Sequence, residues 1–431
     1  MIKVIKSKLR DTTIKNIISN YFAYGITGVF SILIIPYYLR LFGINEWGII
    51  AVATSVQAML TIFDLGLAQV MPSYISRSTN LEEKYKAYRI FSKIYLIVGT
   101  IAFIFAQLFV NKYIDNWIII NESKKSIVEV VIRMSIVQFF FQYLNGVNVG
   151  YWYGTQRITL INKRLILFFF VKHVSAIFLI KYFGAHPIYY LLPFVLFTLF
   201  DYMTAVYLLR IEGAEFKKLK INFEDYKDIF KKNIGLCIAI TFGLIVTQVD
   251  KFVLTKNIPV NKYGVYTLTY AMAMGILQLY LPVINALLPK VVESERDNHY
   301  DSGISFVLKY FHLFTIIPLI LLIIFSKNLL FLWTHNSQIA KEGEMSLRLL
   351  LTYVLFNIAV SINYLKFLAK NSFKKILIIN ASALLACCLL ILIFNKSLGI
   401  MLGGAFWITY GIIQFFGFVF LKEKPSKTLS I

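Results

Sequence analysis

Charge is scarce in this 431-residue chain: Asp, Glu, Lys and Arg make up 15% of it, against roughly 25% in a soluble domain. Too few charges remain to clothe a large water-facing surface, which excludes a sizeable soluble domain. Cysteine is nearly absent. Cys237, Cys387 and Cys388 all fall inside apolar runs, where buried thiols are expected rather than a disulfide framework or a metal site. The five histidines, His173, His186, His299, His312 and His335, lack metal-ligand spacing, and no G-x-x-x-x-G-K-[ST] stretch is present to bind a nucleotide. Enzyme signatures are therefore missing. Acids are outnumbered too, 22 against 44 bases.

Apolar residues fill the space. They form 58% of the chain, and mean hydropathy is +0.69. A membrane-spanning helix needs about 20 apolar residues. Runs of that length occur near 14–39, 47–70, 90–110, 127–150, 165–183, 188–210, 233–256, 265–289, 304–325, 347–367, 376–395 and 398–421. They predict an all-α integral membrane protein with about 12 transmembrane helices. The basic segment Met1 to Arg10 lacks a cleavable signal pattern, so the first run is expected to stay as an anchor. The net charge of +22 does not indicate a nucleic-acid partner, because Lys and Arg sit between the apolar runs instead of on one soluble face. Every second connection, counted from the N-terminus, holds 30 of the 44 bases, which places both termini in the cytoplasm.

The chain repeats itself weakly at half its length. Ile44-Asn45-Glu46-Trp47-Gly48-Ile49 matches Val260-Asn261-Lys262-Tyr263-Gly264-Val265 at an offset of 216, and Lys15-Asn16-Ile17 matches Lys232-Asn233-Ile234 at 217. Two pseudo-symmetric six-helix lobes are expected, at 1–210 and 233–431, joined by a basic cytoplasmic linker at 211–232. Six spans return the chain to its starting side. The lobes would then be parallel repeats enclosing a central cavity.

Charges inside the apolar runs are the candidate functional residues, since an intramembrane ionisable group is costly unless used or paired. Asp64 lies in the second run, followed by Leu65-Gly66-Leu67. Lys172 and Asp201 fall at similar depth on sequential antiparallel spans and are expected to face each other or the cavity. Arg133, Asp250 and Lys251 belong to the outer halves of the fourth and seventh spans, and Arg40 stands near the end of the first. Bases facing a cavity suit an anionic ligand through charge-assisted hydrogen bonds; snorkelling to the interface is the alternative for Arg40 and Lys251. Polar residues recur at helical spacing as Asn16, Asn20, Tyr24, Thr27 and Ser31, and as Gln138, Gln142 and Asn145. Interhelical hydrogen bonding and a water-filled lining both account for them.

The segments PYYLRLFG, EWGI and FDLGLAQVMPSYISR, with TQVDKFVL and NKYGVY in the second half, resemble the polysaccharide-transport branch of the multidrug/oligosaccharidyl-lipid/polysaccharide exporter superfamily, in particular Wzx-type O-antigen flippases. The resemblance implies a MATE-like fold. It further implies translocation of an undecaprenyl-diphosphate-linked oligosaccharide, an O-antigen or capsule repeat unit, to the outer leaflet of a bacterial plasma (inner) membrane. No cofactor is implied beyond a coupling proton or sodium ion. Partners would be the lipid-linked oligosaccharide, the bilayer and polysaccharide-assembly enzymes. Arg40, Asp64, Asp250 and Lys251 match recurrent family positions; Arg133, Lys172 and Asp201 rest on the physical argument alone. A MATE-type drug or cation antiporter is the alternative, and a polysaccharide polymerase or ligase is disfavoured by outer connections of only about 20 residues.

The orientation is testable by topology mapping. A reporter that is active only outside the cytoplasm should stay silent when fused after Leu421, and activity there would reverse the assigned sides.

Overall fold

A computed structural model of the chain describes residues 12–78, 80–212, 221–297, 315–369 and 372–421, and every long element among them is an α-helix. Hydrocarbon dictates this, because backbone groups out of reach of water must be paired within their own segment. The helices are α1 (Thr12–Leu60), α2 (Leu67–Arg77), α3 (Leu81–Trp117), α4 (Lys125–Gly154), α5 (Ile158–Phe183), α6 (Pro187–Glu212), α7 (Phe223–Asn257) and α8 (Val260–Asp297). They continue with α9 (Thr315–Ile324), α10 (Ser326–Thr334), α11 (Ser337–Ala369), α12 (Phe373–Phe394) and α13 (Met401–Phe420).

The chain is thus an all-α, multi-pass membrane protein. Among the described residues eight helices are long and apolar enough to cross a membrane, or nine if α9 and α10, bent by 82°, count as one span. The expected number was about twelve. The difference has identifiable sources. The first two runs form one element, α1, turned at Gly43, whose φ of 68° and ψ of 174° are open to a residue without a Cβ. Helices α7 and α8 contain the runs expected at 233–256 and 265–289 but extend well beyond them into charged residues. Half of the run expected at 304–325 and residues 213–220 of the basic linker lie outside the described residues, as do the two chain ends.

The chain divides into two compact units, Met1–Phe252 and Val253–Ile431. In the first, α4 is the central helix, packed against α1, α2, α3 and α6. Its glycines let neighbours close in: a Cβ on Gly150 would stand 3.1 Å from the Met71 sulfur, and one on Gly154 would stand 2.7 Å from Ile75 Cβ. Gly150 and Gly154 are four residues apart and form a small-residue stripe that admits α2, the usual way helices approach closely in lipid. In the second unit α11 packs against both α8 and α13. A Cβ on Gly403 would fall 2.3 Å from the Tyr266 ring, so α13 meets α8 at a position only glycine fits.

Replacing Gly154 by Val should destabilise the first unit by roughly 1–3 kcal/mol through overpacking against Ile75. Gly28→Ala, where an added Cβ meets nothing within 4 Å, is the matched control and should not lower the thermal unfolding midpoint of the detergent-solubilised protein. Equal midpoints for Gly154→Val and the parent would contradict the packing described.

Candidate functional site

The second apolar run does not continue to residue 70 as one helix. It stops at Leu60, passes through a 3₁₀ turn at Thr61–Asp64 and two left-handed residues, Leu65 (φ 51°) and Gly66 (φ 76°), and restarts as α2. A Cβ at Gly66 would approach Ile240 Cβ to 3.0 Å and Cys237 Cα to 3.1 Å, so this glycine serves both the backbone turn and the fit to α7.

Breaking a helix in hydrocarbon frees backbone groups that must find partners. Asp64 supplies one. Its Oδ2 accepts from the Ala68 amide at 3.1 Å in the first turn of α2, and its Oδ1 accepts from the Tyr95 hydroxyl at 2.8 Å. Negative charge is favoured at this position by the positive end of the α2 dipole. Tyr95 is 1% exposed and stacks on Tyr143 with ring centroids 4.6 Å apart; the Tyr143 hydroxyl donates to the Phe63 carbonyl at 3.4 Å. Among the described residues no cation stands within ion-pair distance of Asp64. A half-buried carboxylate held by neutral donors can take up a proton or a cation without first displacing a fixed base.

A second polar centre surrounds Asp201 on α6. Arg164 of α5 places Nη2 2.5 Å from Asp201 Oδ1 and donates to Thr204 Oγ1 at 2.9 Å, while its guanidinium carbon lies 5.1 Å from the Trp152 ring centre. Asn145 Nδ2 donates to Asp201 Oδ2 at 2.7 Å, Asn148 Nδ2 to Asn145 Oδ1 at 3.0 Å, and Tyr88 OH to Asn148 Oδ1 at 2.9 Å. A continuous chain of hydrogen bonds therefore runs from α3 through α4 to α6 and α5.

Lys172 and Asp201 were expected to face each other or the cavity: Lys172 lies within electrostatic reach of Asp201, but among the described residues it forms no ion pair within 4 Å, and Arg164 makes the direct contact. Matched depth did not determine direction. Arg164 and Lys172 are eight residues apart on α5, about 80° apart around the helix and about 12 Å along it, and the longer Arg164 side chain reaches the carboxylate. Arg164 was missed because it sits at the edge of its apolar run, where a base reads as a loop charge.

The remaining candidates fall into separate places. Arg133 joins α4 to α3: it donates to Glu129 Oε1 at 2.9 Å, to the Gln107 carbonyl and side chain at 3.0 Å each, and to Asn111 Oδ1 at 2.9 Å. Lys251 is buried, donates to the Thr247 carbonyl at 2.6 Å and lies 3.6 Å from Asp250 Oδ1. Arg40 is exposed in the last turn before Gly43. The polar stripes largely serve helix contacts. Asn162 donates to Asn20 at 2.8 Å, Gln57 to Gln142 at 2.8 Å, and the Tyr24 and Tyr153 hydroxyls meet at 3.2 Å.

The Asp201 centre predicts a signed coupling. Arg164→Leu strands the carboxylate and should cost roughly 3 kcal/mol in unfolding free energy, and adding Asp201→Asn should restore part of that loss. Additive losses in the double variant would show that the two side chains do not stabilise each other.

Among curated proteins no relative matches. Solved structures do share the fold. The lipid II flippase MurJ in an inward closed conformation is 16% identical, with 94% of this chain and 87% of that chain covered and a TM-score of 0.69. A MOP superfamily transporter from Pyrococcus furiosus Vc1, described with a binding pocket of reversed polarity, is 15% identical over 94% of this chain and 93% of its own, at a TM-score of 0.66. An inward-facing multidrug resistance MATE transporter is 14% identical over 92% and 96%, at a TM-score of 0.67. The model of one family, described as polysaccharide biosynthesis protein, matches residues 13–295, well over half the sequence. The chain belongs to the polysaccharide biosynthesis protein family and carries the fold of the MOP exporter superfamily.

Proposed function

We propose that this protein is a flippase, a transporter without an enzymatic step, that moves a polyprenyl-diphosphate-linked oligosaccharide from the cytoplasmic to the outer leaflet of a bacterial plasma membrane, with both its termini in the cytoplasm. The observation that carries the reading is the family match across residues 13–295 in a chain whose fold is shared with a lipid II flippase. The lipid tail can remain in the bilayer throughout, so the protein need shield only the head group and sugars. Moving a diphosphate through a low-dielectric core is prohibitive unless fixed cations replace its hydration.

Rocking of two lobes, read from the sequence at 1–210 and 233–431, would provide alternating access. Of the bases read as substrate-binding, Arg40, Arg133, Lys172 and Lys251, the geometry favours Lys172. It is half-buried near the middle of α5, within electrostatic reach of Asp201 but without an ion pair among the described residues, whereas the donors of Arg133 are taken up by Gln107, Asn111 and Glu129. Asp64 is the best-supported coupling residue: its site at the α1–α2 break gives a proton or sodium ion a carboxylate and a displaceable tyrosine donor. Asp201 and Asp250 are read as charge-pairing residues, held against Arg164 and beside Lys251. Enzymes that assemble the polysaccharide would supply and consume the cargo on the two faces.

Complementation of a flippase-deletion strain tests these roles at matched membrane abundance. Lys172→Met should lower surface polysaccharide at least tenfold, with Lys172→Arg milder because the charge persists. Asp64→Asn keeps an acceptor for Tyr95 but removes the titratable charge, and should be as defective as Lys172→Met. Parental polysaccharide from both Lys172→Met and Asp64→Asn would remove these residues from the transport cycle, and failure of the parent chain to complement any such strain would refute the flippase reading.

A further inference from the structure

A cavity of about 550 Å³ opens between α3, α4 and α6 in the first unit, and among the described residues its lining combines three cations, Arg89, Lys93 and Arg210, with no carboxylate. Among the described residues Lys93 and Arg210 form no ion pair within 4 Å, whereas nearby Lys86 is 2.8 Å from Asp225 and Arg157 is paired with Glu212. Positive charge is thus concentrated at the cavity while the bases beside it are neutralised. Concave walls of low dielectric focus such a field and raise the local concentration of anions.

Tyrosines tie the walls together. The Tyr85 hydroxyl donates to the Leu209 carbonyl and so ties α3 to α6, and the Tyr88 hydroxyl donates to Asn148 Oδ1 at 2.9 Å and so ties α3 to α4. Tyr151 packs edge-on against both tyrosines, with centroids 5.5 and 5.4 Å away. Lys93 and Arg210 are exposed and Arg89 is half-buried, so their charges are within reach of a ligand that enters from outside.

Polarity is graded along the cavity. Helix α3 has 37 residues and extends over about 55 Å, nearly twice the roughly 30 Å of hydrocarbon, so its first turns stand outside the apolar core. Arg89 and Lys93 lie in those early turns, and Arg210 is in the last turn of α6, on the same side. Deeper along the same lining come Leu96, Leu144, Val147 and Val206. A ligand that fits must carry an anionic group at the interface and an apolar chain below it. Basic pockets between transmembrane helices take lipid phosphates in this way.

We propose that this cavity is a binding site for an anionic phospholipid, its phosphate held by Lys93 and Arg210 with Arg89 beside them and its acyl chain laid along Leu96, Leu144 and Val206. The site is separate from Asp64 and Lys172, and the lipid is a constituent of the bilayer, not transported cargo. Through Asn148 the pocket wall connects to the Asn145–Asp201–Arg164 chain, so an occupied site would brace the contact of α3 with α4 and α6.

Native mass spectrometry of the delipidated full chain in detergent, titrated with phosphatidylglycerol or phosphatidylcholine, reads the site directly and needs no oligosaccharide, so it can fail independently of the complementation test. The parent should retain phosphatidylglycerol in preference to phosphatidylcholine. Lys93→Gln with Arg210→Gln should weaken phosphatidylglycerol about 25-fold, roughly fivefold per cation, and leave phosphatidylcholine unchanged. Val206→Trp, which fills the apolar half and keeps every cation, should also exclude the lipid, and Lys93→Arg with Arg210→Lys should retain it. Millimolar inorganic phosphate should not displace the bound lipid. Parental phosphatidylglycerol binding by the Gln pair or by Val206→Trp would overturn the proposal. Displacement by inorganic phosphate would make the site one for free phosphate and overturn the lipid assignment.

Discussion

Every polar group that enters the hydrocarbon has to be answered from within the protein, and the architecture of this chain follows from that requirement. Uninterrupted helices satisfy it locally, which is why they dominate the described residues. Departures occur where a side chain or a glycine can absorb the cost. At Gly43 the backbone reverses at φ 68° at the end of a long apolar helix. At Thr61–Gly66 it breaks within the membrane-facing region, and the Asp64 carboxylate caps the restarted helix while Tyr95 holds its other oxygen.

The same requirement explains how buried charge is distributed. Asp201 receives Arg164 and Asn145, Arg133 receives Glu129, Gln107 and Asn111, and Lys251 receives a backbone carbonyl one turn away. Such groups are satisfied and contribute to helix placement. Asp64 and Lys172 stand apart: the first has neutral donors only, and the second is half-buried without an ion pair among the described residues. A charge with no counter-charge in direct contact is available to a moving ion or an anionic head group.

Close helix approach depends on a complementary feature, the small residues. Gly150 and Gly154 bring α2 against α4, and Gly403 brings α8 against α13. Within lipid there is little hydrophobic gain in helix association, so van der Waals fit and interhelical hydrogen bonds carry it. The Asn162–Asn20 and Gln57–Gln142 contacts supply the latter. Residues that could have lined a water-filled passage are therefore, in these cases, fastening one helix to another.

The amino-acid sequence by itself determined that the chain is an all-α membrane protein, because hydropathy over 20 residues is a local property and hydrocarbon permits few structures. It also singled out Asp64, since an acid beside Leu-Gly-Leu in an apolar run is visible without neighbours. It could not show that the second run breaks at residues 61–66, because that break depends on α7 filling the space against Gly66. Nor could it choose between Lys172 and Arg164 as the partner of Asp201. Depth along a helix follows from counting residues at 1.5 Å each, but the direction a side chain faces across a bundle depends on how the helices rotate to bury their small residues. Only the tertiary structure settles that rotation, and it also gathers Arg89, Lys93 and Arg210 from two helices into one cavity.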